Sequence, residues 1–223
     1  MPVALIVGAG TGLSASLARL LAKEGFQVAV ASRNPEKISS LGFAVKCDAT
    51  HAVQVEAAFK AVEAKWGAPD LVVFNAGYRT RGPFAELNPE EVRKTLESSA
   101  FGGFLVAQAA AKRMLQRGSG AIFFTGASAS VKGYAQSAPF AMGKFALRGL
   151  AQSMARELQP QGIHVAHFVI DGAIARADRA APSDKPDSML DPEAIALNYL
   201  HVLRQPRSAW TWEIEVRPWV EKF

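Results

Sequence analysis

A single cysteine, Cys47, is all the thiol chemistry that 223 residues provide. An intrachain disulfide and a cysteine zinc cluster are therefore excluded, and a reducing compartment suits the chain. No apolar run approaches the ~20 residues that cross a bilayer; Leu71-Val72-Val73-Phe74 is strand-sized. Basic runs are also missing. The 25 Lys and Arg stand against 20 Asp and Glu, spread along the chain, and the net charge of +5 lacks the clustering of a nucleic-acid footprint. Internal repeats and low-complexity segments are absent. Met1-Pro2-Val3-Ala4-Leu5 lacks the basic stretch that opens a signal peptide, so a cytoplasmic protein with no membrane partner is expected. His164 and His167 stand three apart on a strand and face opposite ways, while His51 and His201 are isolated, so no metal site is expected. Asp70 and Asp178 have no partner that would make a catalytic dyad.

What is present is a core and a regular alternation. Hydrophobic residues make up 49% of the chain, and a chain of this size buries roughly 70% of its unfolded surface. Short apolar runs alternate with helical periodicities from end to end, the pattern of βαβ units and a parallel sheet. Strands are expected at Val3–Val7, Val28–Ala31, Phe43–Cys47, Leu71–Phe74, Ala121–Thr125, Ile163–Ile170 and, as an edge strand with one wet face, Trp212–Arg217. Leu13, Leu17 and Leu20 mark the first helix, and Gly25 ends it. Asn34-Pro35-Glu36 and Asn88-Pro89-Glu90-Glu91 read as capped helix starts, the second helix running to about Leu115. Val55, Phe59, Val62 and Trp66 mark one helix face, Leu147, Leu150, Met154 and Leu158 another helix, and Asp191-Pro192-Glu193 starts the last. The count is about seven strands and six main helices in one α/β domain, 1–223, a doubly wound parallel sheet. The stretch 173–190 reads as a surface insertion.

The first strand runs directly into Gly8-Ala9-Gly10-Thr11-Gly12-Leu13-Ser14, and a helix follows. Such a turn turns backbone N–H groups and a helix N-terminus toward a pyrophosphate, and glycines let the ligand approach closely. About 20 residues on, at the end of the second strand, an acidic residue would bond an adenosine 2′-hydroxyl. This chain has Ser32-Arg33 there. A guanidinium suits a 2′-phosphate, which favours NADP(H) over NAD(H).

With these residues in place the chain resembles the short-chain dehydrogenase/reductase family over nearly its whole length. Gly8, Gly12 and Ser14 fall on that family's glycine motif, with Ser14 in place of the last glycine. Cys47-Asp48 resembles the pair after the third strand, and Asn75-Ala76-Gly77 the motif after the fourth, with Phe74 replacing its first Asn. The resemblance implies a Rossmann fold of sheet order 3-2-1-4-5-6-7. It also implies cofactor contacts at Gly8, Gly10, Thr11, Gly12, Leu13, Ser32, Arg33, Asp48, Ala49, Asn75, Ala76, Gly77, Lys144, Gly172 and Ile174. It implies a small-molecule substrate, a lid at 173–190, and a homodimer or homotetramer paired through the helices at 89–115 and 143–158.

The family's chemistry rests on an Asn, a Ser, a Tyr acid/base and a Lys that holds the nicotinamide ribose. Lys144 matches the Lys. Four residues earlier stands Phe140, where the Tyr belongs. The Ser is Ser128 or its competitor Ser130, and the Asn position is Ser99. Asp171-Gly172 replaces the usual Pro-Gly, with Arg176 near a cofactor-contacting Thr position. A benzene ring cannot donate a proton, and a positioned general acid is worth about 10²–10⁴ in rate. Tyr78 and Tyr134 stand in loops that could supply a phenol, and Arg79 and Arg81 could meet an anionic substrate. Two readings follow: an atypical NADP(H)-dependent oxidoreductase acting on a carbonyl, alcohol or enone, or a catalytically weak or inactive NADP(H)-binding sensor or partner subunit. A scaffold that has lost the cofactor is a third.

Overall fold

Alternation along the first strand decides what packs on each side of the sheet. In β1 (Val3–Val7) the side chains of Val3, Leu5 and Val7 enter one buried cluster and those of Ala4 and Ile6 the other, as a period of two requires. All five are buried, because helices cover both faces. The computed structural model describes residues 1–176 and 179–220. After β1 come α1 (Leu13–Lys23), β2 (Gln27–Ser32), β3 (Phe43–Lys46), α2 (Ala52–Trp66), β4 (Leu71–Phe74), α3 (Pro89–Leu96), α4 (Gly102–Arg117), β5 (Gly120–Thr125), α5 (Ala138–Leu158), β6 (Ile163–Ile170), α6 (Pro192–Leu203) and β7 (Glu213–Val216). The strands form one parallel sheet of order β3-β2-β1-β4-β5-β6-β7, the expected doubly wound Rossmann arrangement. The order reverses between β1 and β4, and such a switch point opens a crevice at the strand C-termini.

One core face carries α2, α4 and α5 against Leu5, Phe74 and Phe124; the other carries α1 and α6 against Ile6, Phe123 and Phe168. Arg113 of α4 ties the first face together, with Nε 2.8 Å from Glu63 and Nη2 2.9 Å from Glu56. Among the described residues no helix is long and apolar enough to cross a membrane.

Local starts and stops follow the sequence with two corrections. Asn88 and Asp191 accept from the backbone N–H of Glu90 and Glu193 and cap α3 and α6. At Asn34 the expected capped helix is instead a 3₁₀ segment, Pro35–Leu41, and the Asn34 side chain makes no cap bond. Its backbone N–H donates to Ser32 Oγ at 3.2 Å, so Ser32 takes the organising role. The long helix expected from Asn88 is interrupted by a π-helical turn, Glu97–Phe101, before α4 resumes it. Close packing accompanies the break. A Cβ on Gly103 would stand 2.6 Å from Leu147 Cδ1 and 3.3 Å from Phe74, and one on Gly102 3.2 Å from the Ala49 carbonyl oxygen.

Gly8 shows why the β1–α1 turn needs glycine. Its φ is +82°, and a Cβ there would lie 2.3 Å from the Ala76 main chain. Left-handed backbone costs an L-residue about 1–2 kcal/mol, and main-chain atoms cannot swing aside. Gly8→Ala is expected to lower the unfolding free energy by roughly 3 kcal/mol or more, measured by urea denaturation; a loss under about 1 kcal/mol would contradict this packing.

Candidate active site

The loops that leave β1, β2, β3 and β4 at their C-terminal ends enclose a cavity of about 440 Å³. Gly8, Gly10 and Thr11 form one wall, Ser32, Arg33 and Lys37 another, Asp48 and Ala49 a third, and Asn75, Ala76 and Gly77 a fourth. Ten of the expected cofactor residues thus line one space: the two glycines, Thr11, Ser32, Arg33, Asp48, Ala49 and the Asn-Ala-Gly triplet. The Gly10 Cβ position faces open space with nothing within 4 Å. Gly12 caps α1. Leu13 is buried in the core, so its side chain offers the cavity nothing. Ser14, in the place of a glycine, is also buried, and its hydroxyl accepts from Asn75 Nδ2 at 2.7 Å. That bond couples the first and fourth loops, a link the sequence motif alone did not announce.

Charges of both signs line the large cavity: Arg33, Lys37 and Lys94 with Asp48 and Glu97. Arg33 and Lys37 stand on the β2 side, where no acidic residue intervenes at the strand end. Burial pushes the Asp48 carboxyl up, but hydrogen bonds from the Thr50 backbone and hydroxyl outweigh it, with help from His51 and Arg33, and hold it below the usual carboxylate range. Cys47 also lines the wall. Its thiol is pushed up to about 11 by burial and by Asp48 and stays protonated.

A smaller cavity of about 200 Å³ adjoins the ends of β5 and β6. Arg79, Thr125, Ser128, Tyr134, Phe140 and Ile174 line it, together with Gly172. The two candidate serines separate here. Ser130 is fully buried and its Oγ accepts the Ala127 N–H at 3.1 Å; Ser128 lines the cavity. Phe140 presents its ring to the same space, with the Arg79 guanidinium carbon 4.8 Å from the ring centroid and Lys144 Nζ 5.9 Å from it. Lys144 itself is buried and donates to the Thr125 carbonyl at 2.7 Å. Burial pushes its ammonium down to about 8. Lys144 lines neither cavity, and Gly172 and Ile174 belong to the smaller one.

Ser99, in the Asn position, is carried by the π-helical turn. It is fully buried, and its Oγ has no hydrogen-bond partner among the described residues. It lies 3.8 Å from the Cβ position of Gly77 and 3.3 Å from that of Gly143.

The two loop tyrosines part ways. The Tyr78 hydroxyl donates to Glu91 and Lys94 covers its ring at 4.3 Å, so its phenol is engaged by α3. Tyr134 lines the smaller cavity and is exposed. Asp171, replacing the family proline, is buried and compensated by Lys132 at 3.1 Å and Arg217 at 3.6 Å. Arg176 pairs through its backbone with Arg179, in the segment expected as a lid. Asp178 lies outside the described residues.

His164 and His167 do face opposite sides of β6. His164 stacks on Trp210 and bonds the Thr211 carbonyl; His167 Nδ1 bonds Glu213 at 3.0 Å on the side of Lys144 and Arg148. No group of three or more possible metal ligands occurs among the described residues. Burial holds His167 down at about 4 from an ordinary 6.5, against the pull of Glu213. The unfolded chain then binds the extra proton between those values. Stability present above pH 6.5 is therefore lost as pH falls toward 4. The expected loss through this residue is roughly 3 kcal/mol, read from urea unfolding across that range. In His167→Gln this part of the slope disappears; a slope of the same size in the variant would assign it elsewhere.

A glycine turn feeding a helix N-terminus, at the switch point of a doubly wound sheet, defines a dinucleotide-binding protein. Residues 2–183 match the family model for short chain dehydrogenase. The chain belongs to that family, and it is an oxidoreductase family that works with a nicotinamide cofactor. A solved short-chain dehydrogenase from Rhodopseudomonas palustris is 38% identical, covers 98% of this chain and 99% of that one, and superposes with a TM-score of 0.84. The D-threitol dehydrogenase of Mycolicibacterium smegmatis is 33% identical over 175 residues, 73% of this chain and 66% of that protein. An alcohol dehydrogenase from the archaeon Thermococcus sibiricus, solved with 5-hydroxy-NADP, shares the fold at 23% identity and a TM-score of 0.88, covering 100% of this chain and 98% of that one.

Proposed function

We propose that the protein is an atypical NADP(H)-dependent oxidoreductase that acts on a small carbonyl, alcohol or enone. The observation that carries the cofactor preference is Arg33. It stands at the end of β2 in the wall of the large cavity, with Lys37 beside it, where a 2′-phosphate would make charge-assisted bonds and a 2′-hydroxyl would want a carboxylate. The open space at Gly10 and the helix start at Gly12 fit a pyrophosphate. Asp48 and Ala49 would flank the adenine, and Asn75, Ala76 and Gly77 the far side of the nucleotide.

The bound nicotinamide would supply the hydride chemistry. Lys144, fixed by the Thr125 carbonyl, would hold the ribose. Ser128 would bond the carbonyl oxygen of the substrate, and Gly172 and Ile174 would close the wall opposite. The proton would come from water or from Tyr134, the loop tyrosine that lines this cavity. Ser99 would keep the buried polar position that the family gives to Asn. Residues 173–190 would form the lid.

Phe140 is the observation behind the second reading, a weak or inactive NADP(H)-binding sensor or partner subunit. Its ring lines the smaller cavity, would stand in the place of the proton donor, and has nothing to donate. A homodimer or homotetramer fits either reading: Phe101 and Phe104 are stacked and exposed on one side of the molecule, and Met142 and Phe145 are exposed on α5. Such outward aromatic and thioether side chains mark contact surfaces.

Titration of the full chain with NADPH and NADH tests the proposal. NADPH is expected to bind more tightly, with turnover on a panel of aldehydes, ketones and enones. Tight NADPH binding without turnover would select the sensor reading. No binding of either nucleotide would overturn both.

A further inference from the structure

The smaller cavity carries one uncompensated charge. Among its lining residues Arg79 alone is charged. No described carboxylate pairs with it, and the charge that acts on it is Arg81, of the same sign. The neighbouring cations are already engaged. Lys132 neutralises Asp171, Arg81 Nε donates to Ser137 Oγ at 3.2 Å, and Lys144 is fixed on the Thr125 carbonyl. Arg79 is exposed at the mouth, and partial burial together with Arg81 holds it below the usual arginine range. The Phe140 ring lies under its guanidinium at 4.8 Å, and such stacking orients the planar fork while leaving its N–H edge free to bond.

We propose that Arg79 is the anion-recognition group of the substrate cavity, and that the substrate is an oxo acid whose carboxylate lies on that guanidinium. The inference rests on the reading of this cavity as the substrate site. A carboxylate matches the fork in shape, accepting two parallel N–H bonds. It also suits the charge, since Arg79 is the one charged residue among those that line the cavity. Ile170, Ile174 and Ala129 give the wall an apolar part that suits a short carbon chain, beside the hydroxyls of Thr125, Ser128 and Tyr134. Phe140 then acquires a use: it is the platform against which the Arg79 guanidinium is held.

The test pairs acids with neutral counterparts. The full chain saturated with NADP⁺, and the chain alone, are titrated calorimetrically with 2-oxobutanoate, acetoacetate and levulinate, each beside its methyl ester. At least one acid is expected to bind about tenfold tighter than its ester, the low end for a charge-assisted bond at an exposed rim. Arg79→Gln, which keeps hydrogen-bonding atoms but not the charge, should bring that acid to the affinity of its ester. Arg79→Lys should retain part of the difference. Equal affinity of every acid and ester in the native protein would overturn the proposal, as would an acid preference that survives Arg79→Gln. Weaker NADP⁺ binding by Arg79→Gln with no change in acid affinity would instead assign Arg79 to the nucleotide. Failure of NADPH to bind at all strikes the functional reading above; absence of an acid preference in the native protein with NADPH binding intact strikes only this one.

Discussion

Phe140→Tyr is expected to raise kcat/KM for carbonyl reduction by about 10²-fold or more, since that is the low end of what a positioned general acid supplies. Part of the setting expected from the family is present, although the Asn position holds Ser99. The ring already faces the smaller cavity beside Ser128, and Lys144 Nζ is 5.9 Å from its centroid. A phenol there would have two cations near it, Lys144 and Arg79, and nearby positive charge lowers the pKa of a phenol. The ring is half-buried and lines the cavity, so overpacking by the added hydroxyl is expected to be minor. Steady-state kinetics with NADPH over a carbonyl panel gives the answer. An unchanged rate would mean that the loops around Phe140 do not hold a carbonyl in reach of its tip. Arg79→Gln in the same background would then tell whether the guanidinium, stacked on this ring, displaces the substrate.

Arg33→Ala should raise the Kd for NADPH by roughly ten- to a hundredfold and leave that for NADH within about twofold. A hydrogen bond to a charged group contributes about 1.5–3 kcal/mol, and only NADPH carries the 2′-phosphate. Lys37, on the same wall, keeps some positive charge in the variant and sets the upper limit of the effect. Fluorescence titration of the reduced nicotinamide measures both constants. Equal weakening of the two nucleotides would place Arg33 on a part they share.

The strands and helices were legible because their signals are local. Fully apolar five-residue runs mark strands covered on both faces, and Asn-Pro or Asp-Pro pairs mark helix starts; α3 and α6 begin where those pairs stand. The failures were local signals overruled by packing. Asn34-Pro35 has the form of a cap, yet the segment tightens into a 3₁₀ turn. The helix from Asn88 continues to Arg117 only by way of a π-helical turn, where Gly102 and Gly103 let α4 approach Ala49, Phe74 and Leu147. None of these three contact partners is near those glycines in sequence.

The sequence by itself determined the fold family, the glycine turn and Arg33 at the strand end, because each is a residue type at a fixed place in a repeating βα pattern; Phe140 at a Tyr position is what the family resemblance implies. Only the tertiary structure decided which side chains share a cavity. It separated Ser128 from Ser130 by giving the latter an internal hydrogen bond, turned Tyr78 toward Glu91, and left Tyr134 and Arg79 at the smaller cavity with Phe140. These outcomes depend on where loops from β4, β5 and β6 meet across the sheet. Spacing along the chain carries no record of that meeting, since it is set by strand order and by which partner each polar group finds when water is excluded.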